Sequence, residues 1–468
     1  MECYINPKLS KRKLLGFLEL LISENTDPHA LTMHKDGELM LKIGIPPYST
    51  DDKRQLFSLS KSFTSTAIGI AYDKGLLRLD EKMIDIFPDK LPDVISENLA
   101  KMTVHDVMTM ASGHDSCTLP YISKSEDGIK AFFEREVKHL PGSTFRYNSG
   151  ATYMLSAIIT RRTGMSMLEF LYENFFRALD ILPQMWQTSG GYPINEGGIG
   201  LFLSCEDVEK WGLVYLNNGM YNSKRILSEE WVRLATSNWV STASNGAPNW
   251  ASGYGYQIWQ NAKDGFRADG AFGQFCTVLP KDKIVFSMLA ESTNTNKYFE
   301  DMLAFASDFE AESEEDIDIE GEIKKLYEPL SSSEQVHKGY YKLNDNSIGF
   351  THLALNYKDE NLVLSFVDKE KIQTLTAGNG EWIENSLTGP CLKPTLINLT
   401  PDSRTDTMRF AASYTATKDS ITLAVRILNA CHSGVWEFSF SEHSVEIAIS
   451  YRTGGIHKNT NLLKGTLI

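Results

Sequence analysis

The heptapeptide FSLSKSF, residues 57–63, places a serine and a lysine three positions apart where an apolar run gives way to a helical pattern. A serine hydroxyl is a poor nucleophile until a base removes its proton. On the first turn of a helix, residues i and i+3 share a face, so the Lys61 amine reaches the Ser58 oxygen. Burial in a cleft lowers a lysine pKa, and the neutral amine then serves as the base. At the helix start Ser58 also meets the positive end of the macrodipole, which favours the negative charge that builds during attack. The pair alone says little. About two Ser-x-x-Lys matches arise by chance in a chain of this size and composition, and Ser10 to Lys13 is another. Two ordinary residues at a helix start are the plain alternative.

The elements around Ser58 separate the two readings. Upstream, ALTMHKDGELMLKIGI reads as two strands around a Lys35-Asp36-Gly37 turn, because Asp-Gly accepts the left-handed backbone of a tight hairpin. Downstream, Phe63, Ala67, Ile70 and Ala71 recur at helical spacing until Gly75 offers a stop. The match at Ser10 merely precedes a basic stretch. Up to about residue 240 the apolar patterns are helical, as in ATYMLSAIITRRTG and CEDVEKWGLVYLNNG. Strands then return in GYGYQIWQ, GFRADGAFGQFCTVLP and KIVFSMLAES, and NTNKYFEDMLAFASDF closes as a helix. The run EAESEEDIDIEGE is too charged to pack and marks a boundary. Residues 1–315 are expected to form one domain, 316–324 an acidic linker, and 325–468 a β-rich domain of short alternating strands, an antiparallel meander or small barrel. Tyr340, Tyr341 and Trp436 are expected in its core.

Composition bounds the partners. In 468 residues, 42% hydrophobic side chains supply a large core, while a net charge of −14 opposes nucleic acid and anionic membrane as main partners. LLGFLELLI near the N-terminus, interrupted by Glu19, reads as an amphipathic helix and not as a signal peptide, and no stretch is long and apolar enough to span a membrane. Six dispersed cysteines without a CxxC pair fit free thiols in a reducing compartment, so a cytoplasmic location is expected. No His-Glu-x-x-His and no Gly-x-Ser-x-Gly occurs, which argues against metal and α/β-hydrolase routes. His114 and Asp115 suggest a Ser-His-Asp triad, but Lys61 already supplies a base, and His114 reads as a loop residue bordering the cleft. Trp186 and EGGIGLF are expected to pack near the site, and Cys276 reads as a buried thiol on the strand that carries Gly270.

Five segments occur in order: LFSLSKSFTSTAIGIAYDKGLLRLDEKMIDIFP, MTVHDVMTMASGH, PGSTFRYNSGATYMLSAIITRRTG, GGIGLFLSCEDVEKWG and GAFGQFCTVLP. In order and approximate spacing they resemble the serine β-lactamase-related hydrolases, a group that includes class C β-lactamases, low-molecular-weight penicillin-binding proteins, esterases and D-aminopeptidases. The resemblance covers roughly residues 25 to 305. It implies an α+β fold of the β-lactamase/transpeptidase type, an antiparallel sheet flanked by helices with an all-helical subdomain, followed here by the β-rich domain. It also implies that Ser58 is the nucleophile, Lys61 its base, and Tyr147 the phenol that relays protons to the leaving group, its pKa drawn down by the lysine. By the same likeness Ala268, Asp269 and Gly270 occupy the third motif, with Gly273 and Gln274 following. The backbone amides of Ser58 and Ala271 would form an oxyanion hole, and Gly270 would let substrate lie close. Asn148, Ser149, Asp269, Gly270 and Gln274 are the expected substrate-binding residues.

Two positions depart from the family pattern. Ser149 stands where asparagine is usual, although a one-residue shift in register offers Asn148 instead. Ala268 stands where a lysine or histidine usually binds a substrate carboxylate, and neighbouring Arg267 should point to the opposite face of the strand. These departures favour a small ester or amide over a β-lactam. A D-amino-acid peptidase or β-lactamase is the alternative, and a penicillin- or peptide-binding protein without turnover is another. The expected partner is a small ester, amide or peptide, with no metal or organic cofactor. The second domain could cap the cleft, pair protomers or bind a polymer.

Overall fold

In a computed structural model of the chain, the described residues are 3–183, 185–191, 193–313, 315–332, 338–346, 348–368, 371–388, 407–453, 456–457 and 461–468. The first sheet is built from β1 (Cys3–Ile5), β2 (Asp27–Lys35), β3 (Glu38–Gly44), β4 (Trp259–Gln260), β5 (Phe266–Gly270), β6 (Gln274–Leu279) and β7 (Ile284–Glu291), antiparallel in the order β1-β3-β2-β7-β6-β5-β4. The expected hairpin closes at Asp36 and Gly37, both with positive φ. Val285 and Leu289 of β7 join one hydrophobic core, and Phe286 and Met288 join the other. A strand covered on both faces reads as an unbroken apolar run, and this explains KIVFSMLAE.

Helix α1 (Lys11–Ser23) is amphipathic as expected, burying Leu14, Phe17, Leu18 and Leu21 on one face of this sheet beside α5 (Thr295–Ser307). On the other face lie α2 (Ser60–Asp73), α3 (Ser149–Thr163) and α4 (Cys205–Leu216), with shorter helices between them. All but the last turn of α2 is buried, hydroxyls included. Thr64 Oγ1 donates to Gly197 O at 2.8 Å, Ser62 Oγ to Gln257 O at 3.2 Å, and Trp211 Nε1 donates to Thr66 Oγ1 at 3.1 Å. Buried hydroxyls with partners fix a helix in position and rotation, which a greasy helix could not do as well.

Three expectations need correction. The acidic run is no solvated spacer: α6 (Ile319–Tyr327) begins in it, runs on past its end, and buries Ile319 and Ile323 against the core that holds α1. Glu315 folds back onto the start of α1, accepting from Ser10 Oγ at 2.7 Å and Arg12 N at 3.0 Å, where a carboxylate meets unpaired amides and the positive end of the helix. GFRADGAFGQFCTVLP is a hairpin and not one strand. Phe272 and Gly273 have positive φ at its turn, so Cys276 pairs with Ala268 across the hairpin. Tyr340 is exposed, because alternation turns it away from buried Tyr341 and Trp436.

The second sheet runs from Gly339 to Leu467 with antiparallel neighbours and its own core around Phe366, Tyr414, Leu423 and Trp436. Its end strands, Lys371–Ala377 and Ile383–Thr388, meet through Asn385, which accepts from Thr376 N at 2.7 Å and donates to Thr376 O at 2.8 Å. The sheet is therefore barrel-like. No helix among the described residues is long and apolar enough to cross a membrane.

Candidate active site

A short 3-10 turn, Phe57–Leu59, leads into α2 and places Ser58 at its start, with Lys61 one turn on. Lys61 is 1% exposed, and its Nζ lies 3.0 Å from Ser58 Oγ while donating to Gly198 O at 2.7 Å. Burial lowers its pKa to about 7, against the opposing pull of Cys117, Asp269 and Glu196. A neutral amine that spends one N–H on Gly198 O can turn its lone pair to the Ser58 hydroxyl, and this is the arrangement a general base requires.

Tyr147, just before α3, packs its ring 4.7 Å from Lys61 Nζ and 5.8 Å from the Trp259 ring, nearly parallel to the latter. Its hydroxyl shares a hydrogen bond with Ser58. The expected lowering of its pKa does not occur: burial raises it well above the usual phenol value, outweighing the Ser58 bond. The Tyr147 phenol is therefore protonated and not a phenolate, and Lys61 is the group poised near neutrality.

Ser58, Tyr147, Asp269, Gly270 and Ala271 line one open cleft of about 580 Å³, together with Trp250, Trp259 and Phe272 and a rim from Asn245, Ser292, Thr293 and Thr295. Asp269 is the one charged side chain among the described residues of this lining. Its Oδ2 accepts from Arg267 Nε at 2.9 Å, and burial raises its pKa despite that pair. Arg267 shares the strand face of Asp269 but lies fully buried, packed against Trp250 and Phe299 at 4.4 and 4.5 Å and bonded to Asn261 Oδ1 at 3.1 Å. It does not replace the missing cation at Ala268, which is itself buried in the core.

Three expected substrate-binding residues do other work. Asn148 is the N-cap of α3, its Oδ1 accepting from Gly150 N, Thr118 N and Thr118 Oγ1 at 3.0, 2.8 and 3.0 Å. The side chain is fully buried and off the cleft lining, with its Nδ2 left without a partner. Gln274 is also buried. It donates to Ala271 O at 3.3 Å and Ala290 O at 2.7 Å, so it braces the peptide next to the cleft without lining it. Ser149 sits under Gly198, near the Lys61 amine, and not on the cleft wall. Gly270 is required by backbone more than by substrate: a Cβ there would lie 2.3 Å from Leu56 O.

The sequence reading missed the partners that tune Lys61. Gly198 supplies its acceptor, and Glu196, whose own pKa burial lifts to about 7, contributes charge nearby. EGGIGLF was the available signal, since glycines packed this closely allow backbone to approach a side chain. The aromatic wall from Trp250 and Trp259 was foreshadowed only by the aromatic density of that region. His114 lies outside the cleft lining, buried against Phe132 and bonded to Ser112, and Asp115 pairs with Lys138 and His139, so no triad forms.

The 6-aminohexanoate-dimer hydrolase of Paenarthrobacter ureafaciens is 21% identical over 226 residues, 45% of this chain and 57% of its own, so the chain spans little more than half that relative's length. Among solved structures, an octameric penicillin-binding protein homologue from Pyrococcus abyssi matches with a TM-score of 0.53 at 16% identity, over 97% of this chain and 99% of its own. The hydrolase EstCE1, with promiscuous acyltransferase activity, matches with a TM-score of 0.51 at 14% identity, over 59% and 92%. The structural likenesses show a β-lactamase/transpeptidase-like fold, with the second sheet included in the match to the Pyrococcus abyssi homologue. The Beta-lactamase family matches residues 30–310, well over half of the sequence, and to that family of serine hydrolases this chain belongs.

Proposed function

We propose that the protein hydrolyses small esters or amides through a Ser58 acyl-enzyme, and that its preferred acyl groups carry an amine and lack a carboxylate beside the scissile carbonyl. Neutral Lys61 takes the Ser58 proton as the serine oxygen bonds to the carbonyl carbon, and the developing oxyanion is held by the amides of Ser58 and Ala271. Tyr147 hands a proton to the leaving group as its bond to carbon breaks and is refilled from the Lys61 ammonium. Water then releases the acyl group with Lys61 again as base.

The observation that carries the substrate class is Asp269 on a cleft wall with no free cation among its described residues. With Oδ2 held by Arg267, the rest of the Asp269 carboxylate would be the acceptor that a substrate ammonium meets, whereas a substrate carboxylate would find no cation to pair with among the described residues of the lining. The curated relative is named for a dimer of an amino acid, which is an amide of this kind. Amides of N-terminal amino acids, the substrates of an aminopeptidase, belong to the same class. The test compares p-nitrophenyl esters with aminoacyl, neutral and succinyl groups. The aminoacyl ester should show the highest kcat/KM, and Asp269→Asn should remove roughly tenfold of that preference, about 1.4 kcal/mol. Equal rates for aminoacyl and succinyl esters would refute the assignment.

A further inference from the structure

One turn of the second sheet packs against Phe57 and Phe272 beside this cleft. The turn from Leu428 to Ser433 joins the strands Ser420–Ile427 and Ser433–Ser441 and is closed by Ile427 N donating to His432 O at 3.0 Å. Its His432 is fully buried, with ring centroids 6.0 Å from Phe57 and 5.0 Å from Phe272, both edge-on. Phe57 precedes Ser58 and Phe272 follows Ala271, so the two aromatic rings flank the two amides assigned to the oxyanion. They also meet each other at 5.1 Å.

Both phenylalanines have left-handed backbone, φ 50° at Phe57 and 65° at Phe272. For bulky residues that conformation is strained, so packing must hold it. The turn provides such a hold on both sides. Asn429 O accepts from Gln55 N at 3.3 Å, and Leu428 packs with Tyr48 on the segment that enters Ser58. On the other wall, buried Glu291 accepts from Ser433 N at 3.1 Å and Ser433 Oγ at 2.5 Å and lies 3.8 Å from His432 Nδ1, while Ser292 N donates to Phe272 O at 2.9 Å.

We infer that His432 is a positioning residue for the oxyanion hole, through which the second domain sets the geometry of Ser58 and Ala271. The inference rests on the acyl-enzyme reading above. It is tested by the rate at which a fluorophosphonate labels Ser58, because phosphonylation also develops negative charge on an oxygen held by those amides. His432→Leu keeps bulk but loses the ring edges, and it should slow labelling about tenfold or more, with kcat falling in parallel and KM nearly unchanged. His432→Phe should restore most of the rate. Arg409→Ala, which cuts an exposed pair with Asp52 between the same domains, should leave it unchanged. The double variant His432→Leu/Glu291→Gln removes the stranded carboxylate and serves if the single variant does not fold. Folded leucine variants labelled at the wild-type rate would overturn the inference alone. A wild type that takes no label at Ser58 would overturn the acyl-enzyme reading and the inference together.

Discussion

At Lys61 two influences oppose each other. Burial disfavours the ammonium and lowers the pKa to about 7, while Glu196 among its neighbours favours it. The base form exists above that pKa, so kcat/KM should climb as pH rises through about 7 and then level off. Glu196→Gln removes a nearby negative charge, further disfavours the ammonium, and should move this limb to lower pH. A pH–rate profile of the two proteins checks the shift, and a limb that stays in place or moves upward would contradict it. Tyr147 adds no limb of its own near neutrality, because its phenol is held above the ordinary value. At this scale the Ser58–Lys61 pair was legible from sequence, since the two lie three positions apart where the 3-10 turn enters α2. Gly198 and Glu196 lie more than 130 positions further on. Only the tertiary fold brings them to Lys61, and no local pattern announces such a meeting.

Elements explain why residues that resemble a motif need not perform it. Asn148 precedes α3, and asparagine is a favoured N-cap because its side-chain oxygen satisfies amides that the first turn leaves unpaired. Asn148→Ala should therefore cost about 1–2 kcal/mol of stability while leaving KM close to wild type. Denaturant unfolding and steady-state kinetics separate those outcomes, and a large rise in KM at unchanged stability would return Asn148 to the substrate. The hairpin of β5 and β6 taught a similar lesson. Period-two alternation was visible in RADGAFGQFCTV, but the break came from a phenylalanine in left-handed backbone, which composition does not favour. The helices, by contrast, were readable from apolar spacing. α6 was missed because its apolar face, Ile319, Ile323, Leu326 and Tyr327, is set among charged residues at the end of an acidic run.

Across the whole molecule the net charge is −14, and Asp269, paired with buried Arg267, is the single charged group among the described residues of the cleft lining. Both draw cations and repel anions, so kcat/KM for an aminoacyl ester should fall as salt rises, while that for a neutral ester should barely change. A salt titration from about 20 to 500 mM spans Debye lengths from longer to shorter than 10 Å, and equal dependence for the two esters would count against electrostatic selection. The change from helical patterns to alternating strands showed that the second part of the chain is β-rich. Its contact with the site was invisible, because Cys431-His432-Ser433 reads as an ordinary turn until the fold lays it against Phe57 and Phe272.

The central claim is that Ser58 is an activated nucleophile, and intact-mass measurement after fluorophosphonate treatment tests it most directly. The account predicts a single adduct that maps to Ser58 and is absent from a folded Ser58→Ala variant. Folded wild-type protein that stays unmodified, or an adduct that persists in Ser58→Ala, would contradict it.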